Sequence, residues 1–164
     1  MKNLSKTIKL FLAAIFIGQT AYFYPLLPET VAIHFNARGF ADDFTSKENY
    51  LFFQIGLMLF AWFFAKVNAF LINSLPISLI NMPHREYWLA EDRRDATFKI
   101  LQNYFDWLST AMLAFFIGLN QLSTEANFRE PIVLSGNFWF VLAAFLIFIA
   151  AWMYKFVGRF NKLD

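Results

Sequence analysis

The chain has no cysteine, which excludes a disulfide frame and any thiolate metal site. It is also poor in charge. Only 16% of its 164 residues are Asp, Glu, Lys or Arg, against about a quarter in an ordinary soluble domain. No Pro/Gly/Ser-rich linker and no internal repeat divides it, so a single domain spanning 1–164 is expected. No phosphate-binding glycine loop and no HExxH-type spacing occurs, which removes the usual signatures of nucleotide and zinc hydrolase chemistry. A formal net charge of +2 argues against nucleic acid as a partner.

What the chain has instead is apolar surface. Hydrophobic residues make up 59% of it and phenylalanine alone accounts for 23 positions. Four runs approach the roughly 20 residues that a helix needs to cross a hydrocarbon core: Ile8–Tyr24, Tyr50–Ile72, Tyr104–Leu122 and Phe138–Val157. Lys2, Lys6 and Lys9 precede the apolar stretch of the first in the manner of a secretory signal. No small-x-small cleavage site closes it, and it is read as an uncleaved helix. The expected fold is an all-α integral membrane protein, four transmembrane helices in a bundle, with a compact loop over 25–49 and a second connection over 73–103. The lipid bilayer is its first partner. The Phe-rich faces would equally suit packing against copies of itself or another membrane protein.

Basic residues resist translocation, so their distribution predicts orientation. Lys2, Lys6 and Lys9 lie at the N-terminus, Arg85, Arg93, Arg94 and Lys99 in the middle connection, and Lys155, Arg159 and Lys162 at the C-terminal end. The other two connections hold only Arg38, Lys47 and Arg129. Ten against three puts the termini and the middle connection in the cytoplasm and the 25–49 loop outside. Lys66, late in the second span, is expected to snorkel to the cytoplasmic face.

The outer loop carries the chemistry. Val31, Ile33 and Phe35 alternate with Ala32, His34 and Asn36, the period of a short strand. Asn36-Ala-Arg-Gly39 reads as a turn in which Gly39 supplies a positive φ. Thr45 and Glu48 have capping-box spacing for the second span. Below the loop, Gln19, Thr20, Gln54, Asn120 and Gln121 recur near the outer ends of three spans. Amides in hydrocarbon must be paired, so they are expected to face inward, either as glue between helices or as the floor of an outward pocket roofed by His34, Asn36 and Asp42.

Pro28, Val31, His34-Phe35-Asn36, Gly39, Asp42 and Lys47 resemble, in identity and spacing, a bacterial membrane domain of unknown function found at the N-terminus of the SDP immunity proteins. Ala32 stands where that family usually has proline. A second run, Asn81 to Arg94 (NMPHREYWLAEDRR), is similar to a cytoplasmic segment of the short family members, with His84 and Glu91 in place of Asn and Pro. The resemblance implies a protein of the bacterial cytoplasmic (inner) membrane. Some relatives protect the producing cell from a secreted antimicrobial peptide and some signal to a membrane-held repressor, although full-length immunity proteins carry further helices.

Two readings follow. In the first the protein is a non-enzymatic binding or interaction protein, without cofactor, that senses or blocks an extracytoplasmic ligand such as a peptide. His34, Asn36, Asp42, Lys47 and Gln54 would form the binding site, and Glu86, Tyr87, Trp88, Arg93 and Arg94 a surface for a cytoplasmic partner. In the second it is a small transporter or metal-dependent membrane enzyme built on His34 and Asp42, since imidazole and carboxylate are the ligands a metal would take in a cysteine-free site. On the cytoplasmic side Met82-Pro83 is expected to end the second helix, Tyr87-Trp88-Leu89 to anchor at the interface, and a lead-in from Ala90 to run into the third span. Asp106, at membrane depth, is expected to pair with Lys66 or Lys155, the alternative being a role in proton handling.

Overall fold

The computed structural model describes residues 2–163, with Lys2 and Asn3 as backbone alone, so the contribution of the Lys2 side chain to orientation lies outside what is described. Helix α1 (Lys2–Phe23) ends in a 3-10 turn (Tyr24–Leu26) and is followed by strands β1 (Thr30–Phe35) and β2 (Ala41–Ser46). Then come α2 (Lys47–Ser74), a second 3-10 turn (Ile77–Leu79), the single-turn helix α3 (Arg85–Trp88), α4 (Arg94–Ala126) and α5 (Asn137–Phe160). The protein is mostly helical with one small antiparallel sheet of two strands, a departure from the all-α expectation.

The second strand was not expected because Ala41-Asp-Asp-Phe-Thr-Ser46 lacks clean alternation and two acids are poor strand formers. It forms because the Gly39 turn folds it back onto β1. Pairing runs from Thr30 with Ser46 to Phe35 with Ala41, and irregularities around His34 shift the register. This also moves the start of α2. Thr45 stays in the strand opposite Val31, and Ser46 caps the helix, its hydroxyl accepting from the Asn49 N–H at 3.3 Å. The cap therefore lies one residue beyond the expected Thr45–Glu48 box.

Three helical stretches are long and apolar enough to cross a membrane: Leu4–Leu26, Lys47–Ser74 and Asn137–Phe160. Helix α4 is longer than any of them, 33 residues or roughly 50 Å, but less apolar. Packing explains the difference, since α1, α2 and α5 all lie against α4. A helix shielded by three others needs little lipid-compatible surface and accepts hydroxyls and amides wherever they are paired. The Ser109 hydroxyl donates to the Ala61 carbonyl at 2.6 Å, and the small side chains of Ala61, Ala65 and Ser109 are all buried where α2 meets α4. Leu12, Ile15 and Phe16 of α1 pack on the core formed by Met58, Ala61, Leu113 and Ile117. On the α5 side a Cβ at Gly118 would come within 3.2 Å of Val141, so glycine allows the approach. Helix α5 is the converse case, with Trp139, Phe140, Ile147 and Tyr154 all pointing outward.

Two further expectations are corrected. Helix α2 ends at Ser74, before Leu75-Pro76, since the residue preceding a proline is driven out of the helical region; Met82-Pro83 lies well beyond it. Asp106 pairs with Lys9 of α1 at 3.2 Å, with both largely buried. Lys66 instead lies 5.4 Å from the Phe63 ring centroid, and the backbone carbonyl of Lys155 accepts from the Tyr104 hydroxyl.

Candidate functional site

The hairpin is a built object. Asn36 organises the turn: its Oδ1 accepts from the N–H groups of Arg38 at 2.9 Å and Phe40 at 3.2 Å, and its carbonyl accepts from Gly39 N–H at 2.8 Å. Gly39 has φ +83, as the turn requires. His34 Nδ1 meets Asp42 Oδ1 at 2.5 Å across the two strands, in the open. At the base, the Lys47 ammonium donates to Glu29 Oε1 at 2.6 Å and its N–H to the Glu29 carbonyl at 3.1 Å.

Two sets of contacts the sequence did not signal dock the hairpin on the bundle. Buried Asn127, just past α4, accepts from Ala32 N–H at 2.7 Å and donates to the Ala32 carbonyl at 3.3 Å. This is why Ala32 is buried although the alternation puts it opposite Val31. On the other edge, Ala41 N–H donates to the Ile132 carbonyl at 3.2 Å and Leu134 N–H to the Gly39 carbonyl at 2.9 Å. The α4–α5 connection thereby extends the sheet through a single bridge between Phe40 and Val133.

Beneath the hairpin the expected amides do converge. Gln19 donates to Gln121 Oε1 at 2.8 Å, Gln121 to Glu125 Oε1 at 2.6 Å, and the Tyr50 hydroxyl meets Thr124 Oγ1 at 3.1 Å. The first and third of these link helices, and the second braces Gln121 within α4. Gln54 differs from them. It is 7% exposed, and its Oε1 has no hydrogen-bond partner. A buried amide oxygen left unmet costs about 1–3 kcal/mol, which a bound donor would recover.

Gln54 lines a cleft of about 600 Å³ that runs from the hairpin turn down between α2, α4 and α5. That size suits a small organic ligand, for which sites span roughly 300–1,000 Å³. His34, Asn36 and Arg38 stand on its upper side, and Leu57, Leu119 and Trp139 are among its apolar walls. Of the five residues expected to bind, His34, Asn36 and Gln54 meet here, whereas Asp42 and Lys47 do not line the cleft and are engaged within the hairpin. Arg38 entered the sequence argument only as a topological charge. Among the described residues His34 and Asp42 belong to no group of three His, Asp or Glu side chains close enough to share a metal.

At the opposite end the residues expected to greet a partner divide. Trp88 is buried, its indole N–H donating to the Phe160 carbonyl at 2.9 Å and its own carbonyl accepting from the Thr97 hydroxyl at 2.6 Å. It is a bundle anchor and offers no surface. Tyr87 and Arg93 stack on each other, 4.2 Å from guanidinium carbon to ring centroid, and Arg94 lies 5.1 Å from the Phe98 ring. Glu86 is exposed.

Comparison with known proteins gives one match. A family model described as a domain of unknown function, DUF1648, fits residues 10–60, which cover most of α1, the hairpin and the first half of α2. No curated protein and no solved structure matches. Over residues 10–60 the chain is thus similar to a domain whose role is unassigned.

Proposed function

We propose that this is a non-enzymatic binding protein of the bacterial cytoplasmic membrane, in which α4 forms a fourth span and the hairpin faces outward over a cleft that holds an extracytoplasmic ligand. The observation that carries this reading is Gln54, which lines the cleft below a pinned hairpin and whose buried Oε1 has no hydrogen-bond partner. The excess of Lys and Arg at the termini and over residues 73–103 supports the orientation. The resemblance of the hairpin to SDP immunity proteins supports a role in sensing or blocking a ligand. The alternative, a transporter or metal-dependent enzyme built on His34 and Asp42, needs at least three converging groups and has an exposed pair.

A photoreactive amino acid at Leu134, irradiated in native membranes, tests the binding role. A discrete adduct by mass spectrometry, suppressed when Leu119→Trp fills the cleft, is expected. Adducts no different from those at outward-facing Phe140 would sink it.

A further inference from the structure

The cleft has a polarity of its own. Its lower walls are apolar, and two of the residues forming it, Phe53 on α2 and Trp139 on α5, are 49% and 62% exposed. Both helices are apolar enough to cross a membrane, and in the membrane reading proposed above these exposed side chains turn towards lipid and the cleft opens sideways to it. Its upper end carries a cation, with the Asp42 carboxylate held behind His34 in the hairpin. Arg38 stands there exposed and, among the described residues, without an ion pair, and no carboxylate lines any part of the cleft. The N-terminus of α5 begins at the same place with no acidic residue in its first turn, so the positive end of its dipole adds to the field. Between these poles lies Gln54, whose unmet Oε1 a hydroxyl can satisfy by donating to it.

We propose, resting on the binding role above, that the cleft takes a single-chain anionic amphiphile: its anionic head on Arg38, a hydroxyl beside the head on Gln54, and its chain among Leu57, Leu119 and Trp139. A peptide or free ion arriving from water would have no use for walls that open to lipid, whereas an acyl chain entering from the bilayer does.

The test uses the full chain, purified in a neutral maltoside and studied by native mass spectrometry with oleoyl lysophosphatidylglycerol, which carries an anionic phosphate, free hydroxyls and one chain. One equivalent is expected to bind about tenfold or more tightly than oleoyl lysophosphatidylcholine, as a charge-assisted contact implies. Arg38→Gln should bring the two lipids within about threefold of each other, because only the charge contact is lost. Gln54→Leu should weaken lysophosphatidylglycerol but leave dodecyl phosphate, which has no hydroxyl, unchanged. Equal binding of the two lysolipids, or a preference that survives Arg38→Gln, overturns the anionic amphiphile while leaving a ligand cleft intact. Displacement by glycerol phosphate alone removes the role of the chain, and a co-purifying peptide that neither lipid displaces overturns the lipid assignment. If Leu119→Trp and Leu57→Trp both bind lysophosphatidylglycerol as the unsubstituted chain does, the cleft is not the site, and the binding role itself falls.

Discussion

Asn127 grips the backbone of Ala32 on both sides, accepting from its N–H at 2.7 Å and donating to its carbonyl at 3.3 Å, across a separation of 95 residues. Both residues are buried, so the pair is the hinge pin between the hairpin and the end of α4. Asn127→Ala leaves a buried N–H and carbonyl unmet. The expected loss is about 1–3 kcal/mol in thermal unfolding in detergent, accompanied by faster proteolysis within 30–46. Unchanged hairpin proteolysis would show that the edge contacts to Ile132 and Leu134 suffice.

The Lys9–Asp106 pair is expected to behave as a buried ion pair whose two halves depend on each other. Lys9→Met alone strands a carboxylate between helices, with a loss on the order of 3 kcal/mol, and Lys9→Met with Asp106→Leu recovers most of it. A double variant as unstable as the single one would mean that the charges matter separately, as they would in a proton path.

His34 and Asp42 are expected to matter little to stability. Their side chains are 66% and 41% exposed, and such surface pairs contribute about 0–1 kcal/mol. His34→Gln should remain folded within that margin, and elemental analysis of the unsubstituted chain should find no stoichiometric metal. A tightly held metal that disappears in His34→Gln would promote the transporter or enzyme reading.

Orientation is settled by single cysteines in this cysteine-free background. Exposed positions Ala37 and Glu130 should react with an impermeant maleimide on intact cells, and Ala96 and Asn161, also exposed, should react only after lysis. The reverse pattern would place the hairpin in the cytoplasm.

How much of this could be read from the sequence depended on how local the causes were. The Asn36–Gly39 turn was legible, because an Asx side chain and a residue tolerant of positive φ act within four positions. The inward amides at Gln19, Asn120 and Gln121 were legible as a class, since hydrocarbon forbids unpaired polar groups. Strand β2 was not, because its order comes from β1 and from Ile132 and Leu134 and little from its own residues. Asp106 was matched with the wrong lysines because pairing across helices depends on which faces meet. Trp88 looked like an interface anchor for the same reason. Its indole finds its acceptor 72 residues away, at the end of α5. Arg38 and Asn127 carried no pattern that spacing could reveal.

The polar character of α4 bears on how the chain is made. A helix with Asp106, Ser109, Thr110, Asn120 and Gln121 on faces turned to its neighbours is a poor substrate for partition into lipid by itself. Its partners in α1 and α2 are synthesised before it, and Lys9, Gln19 and the Ala61 carbonyl wait there for the groups it brings. If α4 is the fourth span proposed above, its entry is an assembly step, in which a preformed pair of helices acts as the solvent for the third. The strongly apolar α5 follows and closes the open side.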